Sequence, residues 1–212
     1  MDIDPNIEQP SRSEADNAGG GNSGFVTRLV AGPGVSLLLM ALVSIGTWTG
    51  YQANNVDPFV LQSPLTEEWW QLPLSTFAHQ GAAHLYGNAM MIAIFGAVAV
   101  ISSSVLRYHA FFLATGIASS VAHVVVTGAL GDAGAVLGAS GAAMGLIGYV
   151  LVSNDISDLI LSRASWSVVV ILVLGVSLSL TLWSASLAVA NVSHFVGALI
   201  GAFAGYFHLL RL

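Results

Sequence analysis

The chain has 212 residues, of which 55% are hydrophobic and only 8% charged. A soluble domain of this length carries roughly a quarter charged residues, so most of the chain lies where charge is excluded, and it reads as a polytopic membrane protein. The formal net charge of −6 is no sign of a nucleic-acid partner, because five of the eleven acids fall within residues 1–24, and with no cysteine there is neither a disulfide framework nor a thiolate metal site.

Residues 1–30 are assigned to an acidic N-terminal tail, rich in Asp, Glu, Ser, Asn and Gly and too poor in large apolar side chains to fold. It lacks the basic start and early apolar region of a signal peptide, so no cleavage is expected. Residues 31–212 form the membrane domain. Six apolar stretches follow, at residues 33–51, 84–103, 106–127, 139–153, 165–183 and 192–210, against the roughly 20 residues that a helix needs to cross a bilayer about 30 Å thick. The fourth is short unless the loop before it dips into the membrane. The chain has no lysine and five arginines: Arg12 and Arg28 before span one, Arg107 between two and three, Arg163 between four and five, and Arg211 after six. Cytoplasmic loops are enriched in such residues, and six spans with a cytoplasmic N-terminus put all five inside. The expected fold is therefore all-α, a bundle of six transmembrane helices with both termini in the cytoplasm.

The loop at 52–83 faces outward and is unusually apolar, with Trp69-Trp70 and the prolines Pro58, Pro64 and Pro73. Tryptophans favour the membrane interface, so this loop is expected to lie partly in the headgroup layer. The loop at 128–138 holds four glycines and leads into span four.

Spans two, four and six all run from outside to inside, so their first residues share one depth near the outer face. Those residues include His84 and Asn88, Ser140, and His194. A polar group without a partner is costly in lipid, so these four side chains should face one another. Glycines supply the packing: Gly197, Gly201 and Gly205 recur every four residues in span six, Gly141, Gly145 and Gly148 line span four, and such stripes let backbones approach closely. A serine hydroxyl is a weak nucleophile until a base takes its proton, which makes Ser140 the candidate nucleophile and His194 its candidate base. His84 and Asn88, four apart on one helix face, can each donate a hydrogen bond to an anionic intermediate, and the N-terminus of span four adds backbone N–H groups.

These motifs resemble those of the rhomboid intramembrane serine proteases in their prokaryotic six-span form. That family carries Gly-x-Ser-Gly at the start of span four, a His followed by spaced glycines in span six, and His-x-x-x-Asn at the start of span two. This chain has Gly138-Ala139-Ser140-Gly141, His194 with Gly197 and Gly201, and His84-Leu85-Tyr86-Gly87-Asn88, preceded by Phe77-Ala78-His79. The resemblance covers residues 33–210. It implies a dyad in which Ser140 is the nucleophile and His194 the general base and later acid, with His84, Asn88 and the Ser140 amide holding the oxyanion. It implies no cofactor and no metal. The implied partners are the lipid bilayer and transmembrane protein substrates, cut in the cell membrane from the extracytoplasmic side. Two positions depart from the family pattern: Trp70-Gln71 stands where Trp-Arg is frequent, and Met144 stands where an aromatic residue often stacks on the histidine.

His123, at similar depth beside Ser119 and Ser120, has no glycine stripe facing span four and reads as structural, as does His79; His109 and His208 lie toward the cytoplasmic side. No His-Glu-x-x-His string or Asp pair points to a metalloprotease. A transporter would want charged residues in mid-span or a broken-helix repeat. The alternative from another class is a non-catalytic rhomboid-like protein that binds transmembrane helices; such proteins typically lose the serine or the histidine, and this chain keeps both.

Overall fold

The computed structural model describes residues 24–65, 68–131, 134–161, 164–184 and 191–212. These residues form eight α-helices: α1 (Gly24–Gln52), α2 (Gln71–Phe77), α3 (Ala82–Ile101), α4 (Val105–Ala129), α5 (Ser140–Val152), α6 (Asp155–Leu161), α7 (Trp166–Ser184) and α8 (Asn191–Tyr206). Helices α1, α3 and α4 are long and apolar enough to cross a membrane, whereas α5 and the Trp166–Ser179 part of α7 are shorter apolar helices. At most 33% of the apolar window of any of the three long helices is buried inside the protein. On α3, for example, Tyr86, Met90, Ile94 and Val98 point outward every fourth residue. A protein that shows apolar stripes on several such helices is a multi-pass membrane protein.

The first helix begins earlier than the sequence reading placed it. Residues 24–30 belong to α1 rather than to the tail, and residues 1–23 lie outside the described residues. Pro33 reads locally as a helix start, but it sits inside a π-helical turn, Val30–Gly34. Proline has no N–H and crowds the carbonyl four residues back; a wider turn absorbs both defects, and here the Val35 N–H reaches back to the Val30 carbonyl.

The segment read as a loop at 52–83 contains a 3-10 turn at Asp57–Phe59 and the short helix α2. Gln71, where the family often has arginine, is buried and donates from Nε2 to the Asp57 carbonyl at 3.0 Å and to the Glu68 carboxylate. Phe77 stacks on Phe112 of α4, with ring centroids 5.8 Å apart, while Trp69 and Trp70 are exposed. The segment is thus anchored at its α2 end and presents its indoles outward.

Helix α5 lies at the centre. Its thirteen residues span only about 20 Å, too little to cross a bilayer, but eleven of them are buried, so protein rather than lipid surrounds it. The glycine stripes make this possible. A Cβ built on Gly197 or Gly201 would overlap the carbonyl oxygen of Gly141 or Gly145, so α8 lies backbone to backbone on α5. Helix α4 has no glycine stripe of its own toward α5, yet it also packs on the glycines of α5. A Cβ on Gly141 would overlap the Ser119 hydroxyl, one on Gly145 the Thr115 methyl, and one on Gly116 the Thr76 side chain. Glycines of α5 therefore receive two helices, because a residue without a side chain leaves room on both flanks.

Three arginines gather at the end of the bundle opposite the start of α5. Arg28 donates to the Ile101 carbonyl at 3.3 Å, Arg107 to the carbonyl of Arg211, and Arg211 to that of Ser153. Ile101 and Ser153 lie at the C-terminal ends of α3 and α5, where unpaired carbonyls carry partial negative charge.

Candidate active site

Ser140 is the first residue of α5, and the turn that delivers it is held by the 52–83 segment. Leu61 and Val136 pair as an antiparallel bridge with both N–H···O distances at 2.9 Å. The Gly138 N–H donates to the Ser75 carbonyl at 2.8 Å, and the Ala139 N–H to Nε2 of His79 at 3.4 Å. Gly138 itself has φ +125°, a conformation that L side chains rarely adopt. The turn is therefore fixed at three successive points before the chain enters the helix.

The four residues singled out from the sequence, His84, Asn88, Ser140 and His194, line one cavity of about 500 Å³. His84 and Asn88 come from the first two turns of α3, Ser140 from the start of α5 and His194 from the first turn of α8. Met91 and Phe95, further along α3, and Met144, one turn below Ser140, make the cavity apolar at depth. Ser140 is 9% exposed and His194 4%. Met90 and Ile94 also line the cavity yet are exposed on the outside of α3, so it opens sideways on the bundle as well as toward the start of α5. Below the polar residues, Met144 packs with Ile147 and Ala198, so a flexible side chain fills the place where the family often has an aromatic ring.

The cavity also holds polar donors. Asn88 is 2% exposed, and its Nδ2 has no hydrogen-bond partner among the described residues. A buried donor left unmade costs about 1–3 kcal/mol, which a ligand oxygen would recover. Helix α5 has no side-chain N-cap, and its first residue, Ser140, lines the same cavity. Among the described residues no three His, Asp or Glu side chains come together as ligands for a metal ion.

The remaining histidines fall elsewhere. His109 donates to the Ala31 carbonyl at 2.7 Å, and His208 lies 3.0 Å from the Asp158 carboxylate, which also meets Arg211 at 3.4 Å; neither they nor His123 line the cavity. His79 reads as structural from the sequence, and its surroundings agree with that. It is fully buried, and the structure adds its partner: it holds the residue preceding Ser140. The signal available was its place in Phe77-Ala78-His79; nothing in that string names a partner 60 positions on.

Fold and cavity together define a helical membrane protein with a serine, a histidine and hydrogen-bond donors gathered at one end of its bundle. The Rhomboid domain family matches residues 66–211, and the chain belongs to that family. No match was found among curated proteins.

Proposed function

We propose that this protein is an intramembrane serine endopeptidase that cuts membrane-anchored proteins at or near their transmembrane segments. The observation that carries this reading is the cavity that Ser140 and His194 line together with Asn88, whose Nδ2 has no hydrogen-bond partner among the described residues. The Ser140 hydroxyl attacks the scissile carbonyl carbon while His194 takes its proton. The carbonyl oxygen becomes an oxyanion that accepts hydrogen bonds from Asn88 Nδ2, the His84 imidazole and the Ser140 amide. When the intermediate collapses, the C–N bond breaks and the leaving amine takes the proton from His194. Water, deprotonated by His194, then hydrolyses the acyl-enzyme and restores the serine. The pair works as a dyad of Ser140 and His194.

Several features bear on substrate and setting. The sideways opening past Met90 and Ile94 gives a lipid-borne segment a route to Ser140, and its apolar lining suits a transmembrane chain. A helix hides its amides in its own hydrogen bonds, so a cleavable substrate must unwind locally, which favours helix-destabilising residues. The six apolar stretches build the membrane bundle with both termini in the cytoplasm, the fourth, α5, being enclosed by the others and too short to cross the bilayer by itself. The arginine end of the bundle faces inward and the cavity end opens to the extracytoplasmic side.

A fluorophosphonate probe and a model transmembrane substrate test the reading. Labelling and cleavage are expected in the wild type, with both lost in Ser140→Ala and cleavage reduced at least about a thousandfold in His194→Ala. Cleavage that survives either change sinks the dyad, and a folded wild type that takes no label points to a helix-binding protein instead.

A further inference from the structure

We infer that His79 is a positioning residue for the nucleophile turn, its neutral imidazole accepting the Ala139 N–H and so holding the residue before Ser140 in place. This rests on the reading of Ser140 as the nucleophile. His79 is fully buried between α2 and α3. Its Nδ1 lies 3.0 Å from the Phe77 carbonyl and 3.1 Å from the Ser44 hydroxyl of α1. A carbonyl can only accept, so Nδ1 carries the ring proton, and Nε2 presents its lone pair to the Ala139 N–H at 3.4 Å. The tautomer is thus dictated by the partners. The loop is further tied to α1 by Trp48, whose indole N–H donates to the His79 carbonyl at 2.9 Å. Beside it the Gly138 N–H is held by Ser75, so two consecutive N–H groups immediately ahead of Ser140 are bound by the 75–79 segment.

The same imidazole stands edge-on to His84, with ring centroids 5.0 Å apart, and so couples α1, the candidate oxyanion residue of α3 and the turn into α5. A proton on Nε2 would set a donor against a donor and strip the Ala139 N–H of its acceptor. His84 is the titratable group that faces His79; Ser44, Trp48, Phe77 and Ala139 bring no charge. Burial first, and then the His84 imidazole, hold His79 down from 6.5 to about 4, so the contact is set at neutral pH and released in acid.

The test compares His79→Gln, whose amide oxygen reaches the place of Nε2 and does not titrate, with His79→Asn, one methylene shorter, in the full chain in detergent. Two quantities are read: the rate of fluorophosphonate labelling, and the hydrogen-exchange protection of the 134–141 peptide, corrected for intrinsic rate at each pH. H79N is expected to slow labelling about tenfold, the worth of one lost hydrogen bond, and to lower protection of that peptide. H79Q should keep both at neutral pH and lack the wild-type decline in protection between pH 6 and 4. Wild-type values in H79N, or losses in H79Q equal to those in H79N, overturn the proposal. Where H79N fails to fold, H79Q decides alone: protection that falls in acid as steeply as in the wild type overturns it. A wild type that takes no label defeats the reading of Ser140 instead, and the exchange measurement still decides what His79 holds.

Discussion

The imidazole of His84 lies against the α-carbon of Gly138, so that a Cβ built there would stand 2.7 Å from Cε1 and 2.9 Å from Nε2. Gly138 also has φ +125°, so any side chain there meets both backbone strain and the ring. Gly138→Ala should therefore push His84 aside and shift the start of α5. We expect cleavage to fall about a hundredfold or more, since displacements of an ångström at a reacting centre cost that much. Kinetics on folded variant protein check this, and an active G138A would mean that the ring is free to move.

Asn88→Ala separates catalysis from stability. Removing an oxyanion donor is expected to lower kcat about 10²- to 10³-fold with little change in KM. Because Asn88 Nδ2 has no hydrogen-bond partner among the described residues, its removal relieves a buried unmet donor, and the melting temperature should stay level or rise. A marked drop in Tm with activity retained would assign Asn88 to the structure instead.

Helix contact through glycine predicts a steep local penalty. Gly201→Ala forces its methyl group into the Gly145 carbonyl, backbone against backbone, and should cost about 1–3 kcal/mol in thermal or denaturant unfolding. Gly175→Ala, where a built Cβ meets nothing within 4 Å, is the control and should be neutral or slightly stabilising.

Acid should weaken the fold through His79. Its value in the folded chain, about 4, lies below the ordinary 6.5, so the fold favours the neutral ring. The stability this contributes is present in full above pH 6.5 and is lost as pH falls from 6.5 toward 4, on the order of 3 kcal/mol in all. Thermal unfolding across that window should show the decline in the wild type, and H79Q should flatten it.

Gln71→Ala should loosen the outer segment without touching the cavity. The change frees the Asp57 carbonyl and the Glu68 carboxylate, and a loss of about 1 kcal/mol corresponds to roughly fivefold faster nicking of residues 52–70 by chymotrypsin. An unchanged nicking rate would show that α2 holds the segment by its apolar contacts alone.

The positions of the apolar helices were legible in the chain because each stretch in a membrane must satisfy its own backbone and so carries its own length and composition. Their shared direction and the glycine spacing were enough to single out His84, Asn88, Ser140 and His194, which line one cavity. Tertiary structure decided the rest. The π turn around Pro33 moved the start of α1 back to Gly24, because a proline reads locally as a beginning and only packing shows that a helix continues through it. Helix α2 was hidden in a seven-residue stretch too short to show a period. That the glycines of α5 serve α4 as well as α8, and that His79 grips Ala139 across 60 positions, could not be read from spacing at all. Local pattern sets where a helix forms; which distant atoms then share a hydrogen bond depends on how the helices come to rest against one another.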